Sequence, residues 1–240
     1  MADPYVLVHG ACHGGWCWTR VARLLRAAGH DVFTPTLTGF GERAHLLTRD
    51  VGPDTLVQDV AAVIECEELS DVVLVGHSFG ALVTLAVAQR VPERVRRIVL
   101  LDGVVVEPGA PGFDVLPPET VQERVAAAEA SSGGLAYPAT PATAFGVTDP
   151  DDAAWVDRRL TPMPMRVYTE PFPLHATLGA GLPVTYVCCT APPYPAIHSG
   201  HAIVRREGWE FRELATGHDA MISAPEETAK ELLRGTTSSR

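Results

Sequence analysis

The chain has 240 residues, 46% of them hydrophobic and 20% charged, and a formal charge of -10. Nucleic acid or an anionic membrane surface would demand clustered positive charge, so neither is expected as a partner, and a small neutral or apolar molecule is. The length lies within the range of one α/β domain with a sizeable core.

Met1 to Tyr5 lead directly into an apolar strand with no basic stretch or signal-peptide core, and no apolar run approaches the roughly 18 residues of a membrane span. A cytoplasmic protein is expected. Short apolar runs at Tyr5–Val8, 32–34, 72–75, 98–101, Val184–Cys189 and 211–214 are mostly continuous rather than alternating, as in strands buried on both faces. Between them lie helical patterns. Leu56, Val60, Val63 and Ile64 share one face after the N-cap candidate Asp54, and residues 79–90 are helical until Val91-Pro92 stops them. From about Val105 to Gly181 the chain is rich in proline, with helical stretches near 120–130 and 151–160 and no convincing buried strand. Ser223-Ala224-Pro225-Glu226 reads as a capping box that opens a last helix through Leu233.

Strand alternating with helix predicts a mostly parallel sheet covered by helices on both faces. The expected organisation is a core from 1–104 and 182–234, a lid from 105–181 and a flexible tail at 235–240. Such insertions between sheet strands commonly carry specificity. Phe113, Leu116, Tyr137, Phe145, Trp155 and Tyr168 are among the residues that make this lid apolar. Most are expected to pack it onto the core, and the rest would favour an aryl or alkyl group over a sugar or a charged one. Five cysteines, Cys12, Cys17, Cys66, Cys188 and Cys189, are an odd number without zinc-ligand spacing. Buried free thiols are expected, with no disulfide, metal or cofactor.

Gly76-His77-Ser78-Phe79-Gly80 is G-x-S-x-G between an apolar strand and a helix, the setting of a nucleophile elbow. There the glycines let backbones pass closely while a strained turn lifts the serine hydroxyl above the sheet. The first strand ends in a second glycine-rich loop, where Ala11 N–H and Phe79 N–H are expected to converge on one oxygen as an oxyanion hole. His9, His13 and His77 flank these turns and read as hydrogen-bonded structural residues. A serine hydroxyl is barely ionised at neutral pH and needs a neighbouring base. His218 is the candidate, in a loop after the last strand and before the last helix. His198 and His201 compete from the start of a helix expected at 199–206.

The segments HGACHGGWCW (9–18), GHSFG (76–80) and GHDAM (217–221) resemble the plant methylesterase and hydroxynitrile lyase family of α/β-hydrolases, together with its bacterial esterase relatives. The resemblance implies the α/β-hydrolase fold, with six parallel strands and a small cap. Dimers are common in that family, so a homodimer is compatible with it. Lyases of this type carry a threonine in the oxyanion loop and a lysine after the histidine. Here Ala11 and Asp219 stand there, and a negative neighbour would repel cyanide.

Most of the family places the triad acid after the next strand, yet TAPPYPAIHS (190–199) contains no acidic residue. Asp102, closing the run 98–101, should emerge on the same sheet edge as Ser78, a position that some α/β-hydrolases use. It could instead cap the turn at Gly103. Glu107 is a weaker substitute, and Asp219 adjoins His218 too closely to orient its ring easily. The expected activity is hydrolysis of a small carboxylic ester, lactone or thioester with an apolar or aryl acyl part, through an acyl-enzyme. A non-hydrolytic lyase or cyclase that tailors a secondary metabolite, or a ligand receptor without turnover, are the alternatives.

Overall fold

A computed structural model describes residues 3–235. Six parallel strands form the sheet: β1 (Tyr5–Val8), β2 (Val32–Phe33), β3 (Val72–His77), β4 (Val95–Leu101), β7 (Val184–Cys189) and β8 (Glu210–Leu214), in the order β2-β1-β3-β4-β7-β8. The continuous apolar runs of β1, β3, β4 and β7 follow from their place between two helical layers, whereas the expectation of burial on both faces is corrected for β8, an edge strand whose Phe211 is 38% exposed. Val6, Val8, Leu74 and Leu100 point into one core, while Tyr5, Leu7, Val75 and Val99 point into the other. Because side chains alternate across a strand, a strand covered on both faces has no polar face to show.

Helices α1 (Thr19–Ala27), α8 (Ala220–Ser223) and α9 (Pro225–Leu233) contribute to the second core, and α2 (Pro53–Cys66) and α3 (Gly80–Arg90) to the first. Two caps differ from expectation. Gly52, not Asp54, is the N-cap of α2, with Pro53 as first helical residue. Asp54 still lies in the first turn, where a carboxylate suits the helix dipole. The capping box at Ser223 does not form, because Ser223 ends α8 and donates its hydroxyl to the Asp219 carbonyl at 3.1 Å. Ala224 opens α9 instead.

Between β4 and β7 lie α4 (Pro118–Ser132), α5 (Pro150–Asp157) and the short α6 (Arg166–Thr169). The expectation of no buried strand here is corrected. Strands β5 (Ala136–Tyr137) and β6 (Met163–Pro164) pair antiparallel and are buried, but two residues each are too short to show a period. A 3-10 turn at Pro195–Gly200 precedes α7 (His201–Arg206), later than the helix expected from 199. All five cysteines are free, four of them buried; Cys66, at the end of α2, is exposed, which corrects the fully buried reading. Residues 236–240 of the expected tail lie outside the described residues. Among the described residues no helix is long and apolar enough to cross a membrane, and no group of three or more side chains could hold a metal ion.

Candidate active site

The β3–α3 turn is built on close approach. A Cβ on Gly80 would meet the His9 carbonyl at 2.5 Å, and one on Gly76 would meet Gly80 O at 2.8 Å. Ser78 between them adopts φ +51°, a left-handed conformation that costs a side-chain-bearing residue about 1–3 kcal/mol. Two backbone bonds hold it there: Ser78 N–H donates to Leu101 O at 3.1 Å, and Val104 N–H donates to Ser78 O at 2.9 Å. The hydroxyl therefore stands at the C-terminal edge of the sheet.

His218, in the loop between β8 and α8, places Nε2 2.8 Å from Ser78 Oγ and Nδ1 2.6 Å from Asp102 Oδ2. Asp102 follows β4 at φ +46°. Its Oδ1 accepts the Cys189 N–H at 2.9 Å, and its own N–H donates to Val187 O at 2.7 Å. With a carboxylate oxygen facing Nδ1, the proton belongs on Nδ1, and the Nε2 lone pair faces the serine hydroxyl. Asp102 and His218 are each 1% exposed and Ser78 is 7% exposed. Asp102 thus reaches the histidine and an amide of the next strand.

The structure does not bring the competing residues here. His198 and His201 lie against each other with ring centroids 4.9 Å apart, and His201 packs on Tyr186 and Phe211. Glu107 is exposed and paired with Arg206. Ala11 lines the same cleft as Ser78, and among the described residues neither Ala11 N–H nor Phe79 N–H donates to another backbone or side-chain group. Phe79 immediately precedes α3, whose N-terminal end favours negative charge.

A second carboxylate-histidine pair lies behind the oxyanion loop. Asp219 Oδ2 is 3.1 Å from His13 Nε2, and His13 Nδ1 donates to Ala11 O at 2.7 Å. Both side chains are buried. Burial opposes both charges, yet the carboxylate outweighs it at His13, whose pKa is raised, and the imidazolium outweighs it at Asp219, whose pKa is lowered. The pair is therefore ionised. His77 and His9 go the other way, pushed down to about 3 by burial, and are neutral. His77 Nε2 donates to the His218 carbonyl at 3.0 Å, and Leu37 N–H donates to His9 Nε2 at 3.1 Å. The charge of Asp219 is thus turned away from the cleft and neutralised. This corrects the argument that it repels an anionic leaving group; what remains against lyase chemistry of that kind is the missing lysine and, at Ala11, the missing threonine.

The cleft above Ser78 is narrow, with a cavity volume of about 20 Å³. Of the apolar lid residues named above, Leu116, Tyr137, Phe145 and Tyr168 line it; Phe113 and Trp155 do not. Arg124, on α4, also lines it, and sequence reasoning missed it. Arg124 is the one basic residue of α4, and its neighbours Glu123 and Val125 give no sign that it faces inward.

The profile of the alpha/beta hydrolase family matches residues 5–231. The chain belongs to that family. It is 39% identical over 237 residues to the carbendazim hydrolyzing esterase of Nocardioides sp. (strain SG-4G), covering 95% of this chain and 97% of that one. It is 35% identical to methylesterase 1 of Arabidopsis thaliana over 111 residues, 40% of this chain and 38% of that protein. Among solved structures, an extracellular alpha/beta-hydrolase from a Paenibacillus species, described as sharing structural and functional homology with tobacco salicylic acid binding protein 2, superposes with a TM-score of 0.81. It is 25% identical and covers 96% of this chain and 98% of its own. Together with a Ser78–His218–Asp102 arrangement that fits a triad, these relationships identify a serine ester hydrolase.

Proposed function

We propose that Ser78 attacks the carbonyl of a small carboxylic ester while His218 takes its proton, with Asp102 holding the imidazole in the productive tautomer. The Ala11 and Phe79 amides receive the developing oxyanion. Proton transfer from His218 to the leaving alkoxide completes acylation. His218 then deprotonates a water that releases the acid. No cofactor is needed for these steps. The observation that carries the reading is the pair of bonds at the two nitrogens of His218, to a serine hydroxyl at 2.8 Å and a buried carboxylate at 2.6 Å. The apolar and aromatic cleft walls support an alkyl or aryl acyl part. Residues 105–181 supply much of that wall and form the specificity-bearing lid. Five free thiols support a reducing, cytoplasmic setting.

An organophosphonate serine probe tests the assignment: it should label Ser78 and no other residue, and Ser78→Ala should abolish labelling and turnover. Labelling elsewhere with the variant still active would overturn it. In oxygen-18 water, hydrolysis must place one solvent oxygen in the acid product. A product without that oxygen would move the enzyme to a non-hydrolytic reaction on the same machinery.

A further inference from the structure

The cleft holds a polar cluster that acyl transfer does not use. Arg124 Nη1 donates to the Tyr137 hydroxyl at 3.0 Å, and its guanidinium lies 5.0 Å from the Tyr137 ring centroid. Tyr168 and Tyr194 line the same cleft, and their hydroxyls feel the charge of the guanidinium. All three neighbours are phenols. Among the described residues no carboxylate or carbonyl accepts from Arg124. Burial raises all three phenols above their ordinary pKa, so they stay protonated and do not neutralise the arginine.

Donor bookkeeping follows. A phenol oxygen that accepts from the guanidinium keeps its own O–H to give away. None of these three hydroxyls donates to a protein acceptor among the described residues. The cluster is therefore a positive group ringed by unspent donors, all from residues that line the cleft with Ser78. It also abuts the reacting centre, since the Tyr194 ring stacks on His218 with centroids 4.2 Å apart. A planar group with several lone pairs and a negative charge is the complement of such a cluster.

We propose that Arg124, with Tyr137, Tyr168 and Tyr194, binds a carboxylate carried by the substrate in addition to its ester, so that the preferred substrates are half-esters of dicarboxylic acids. The inference rests on the ester-hydrolase reading and narrows it: an apolar or aryl spacer lies along the cleft walls, with the ester at Ser78 and the free carboxylate at Arg124. Half-esters then gain a charge-assisted contact that the corresponding diesters lack.

The test separates binding from turnover. Calorimetry would measure binding of the monomethyl esters of succinic, glutaric and terephthalic acid, and of their dimethyl counterparts, to Ser78→Ala and to Ser78→Ala/Arg124→Met. At least one half-ester should bind Ser78→Ala about tenfold or more tightly than its diester. That preference should vanish with Arg124→Met and largely return with Arg124→Lys. Arg124→Gln serves as a second neutral variant should the Met variant fail to fold. Diesters bound as tightly as every half-ester, or a preference indifferent to Arg124, would overturn the proposal. In the active enzyme, the ratio of kcat/KM for half-ester over diester should fall by a similar factor in Arg124→Met. Half-esters that bind through Arg124 but are not hydrolysed by wild type, while other esters are, would overturn the substrate assignment; no ester cleaved at all would sink the esterase reading instead.

Discussion

Two buried carboxylates each hold a histidine in this protein, and only one of the two histidines is placed to act as a base. Asp102 holds His218 and Asp219 holds His13. The difference lies at the other ring nitrogen. His218 faces the Ser78 hydroxyl, which can give up a proton and take one back, whereas His13 faces the Ala11 carbonyl, which can only accept. His13 must therefore carry both protons, a fixed charge behind the oxyanion loop, while His218 is free to cycle. A histidine beside a carboxylate becomes a base or a strut according to what its far nitrogen touches.

Breaking the contact between His218 and the Ser78 hydroxyl should cost most. Ser78→Ala and His218→Ala should each lower kcat on the order of 10⁴ to 10⁶, and the double variant should be little worse than either, since the two act as a unit. Steady-state kinetics on the best ester checks this; losses that multiply would show two independent contributions. Asp102→Asn comes next, with a loss on the order of 10⁴ in a folded protein. Because Oδ1 already accepts the Cys189 amide, an asparagine keeps that bond only by turning its NH₂ toward His218 Nδ1. That favours the tautomer with its proton on Nε2, which cannot receive the serine's. A folded variant retaining more than about a tenth of wild-type kcat would leave Ser78 and His218 as a dyad.

The two pairs were unequally legible in the sequence. Ser78 and His218 announce themselves locally, through glycines whose spacing only a tight turn explains and a loop set between a strand and a helix. Asp102 could be read because strand order predicts which edge its loop reaches, even though nothing nearby in sequence marks it. The His13–Asp219 pair spans 206 positions and joins two loops, so no local pattern carries it. For the same reason the direction of Asp219 was misread from its neighbour His218, and Arg124 on α4 was not singled out at all. The inner parallel strands were plain because burial on both faces leaves unbroken apolar runs. The caps at Gly52 and Ala224 were not, since a glycine or an alanine there contributes no side-chain bond that a sequence could advertise.

Asp219→Asn sharpens the contrast by removing the fixed charge without touching the base. His13, raised by its partner, lends stability that is complete below the ordinary imidazole value of 6.5 and fades as pH rises through its folded value. Asp219, lowered by His13, lends stability that is complete above the ordinary carboxylate value of 3.8 and fades as pH falls through its folded value. The gap in denaturant midpoint between wild type and variant should therefore be widest between those two values and close on either side. Near its maximum it should correspond to about 3 kcal/mol. The effect on kcat should stay within about a hundredfold, the cost of one misplaced oxyanion donor. A gap that does not change with pH would mean that the pair is neutral and that His13 is not the charged strut described above.

The smallest effect is expected at Glu107, the one other acid near the lid connection that sequence reasoning could offer to His218. It lies five positions beyond Asp102 on a segment that leaves the sheet, and its carboxylate is bound by both terminal nitrogens of Arg206, one of them at 3.0 Å. That guanidinium holds its pKa below the ordinary carboxylate value and keeps it facing solvent. A screened, exposed ion pair of this kind contributes little. Glu107→Gln should keep kcat within about twofold of wild type, as an exposed pair remote from the reacting groups predicts. The informative measurement is the double variant. If Asp102 alone orients the histidine, Asp102→Asn/Glu107→Gln should match Asp102→Asn, because distant and unconnected sites add without coupling. A further tenfold loss, about 1.4 kcal/mol of coupling, would mean that Glu107 swings in when Asp102 is gone, and that the second acid of this sheet edge is held in reserve rather than spent on the surface.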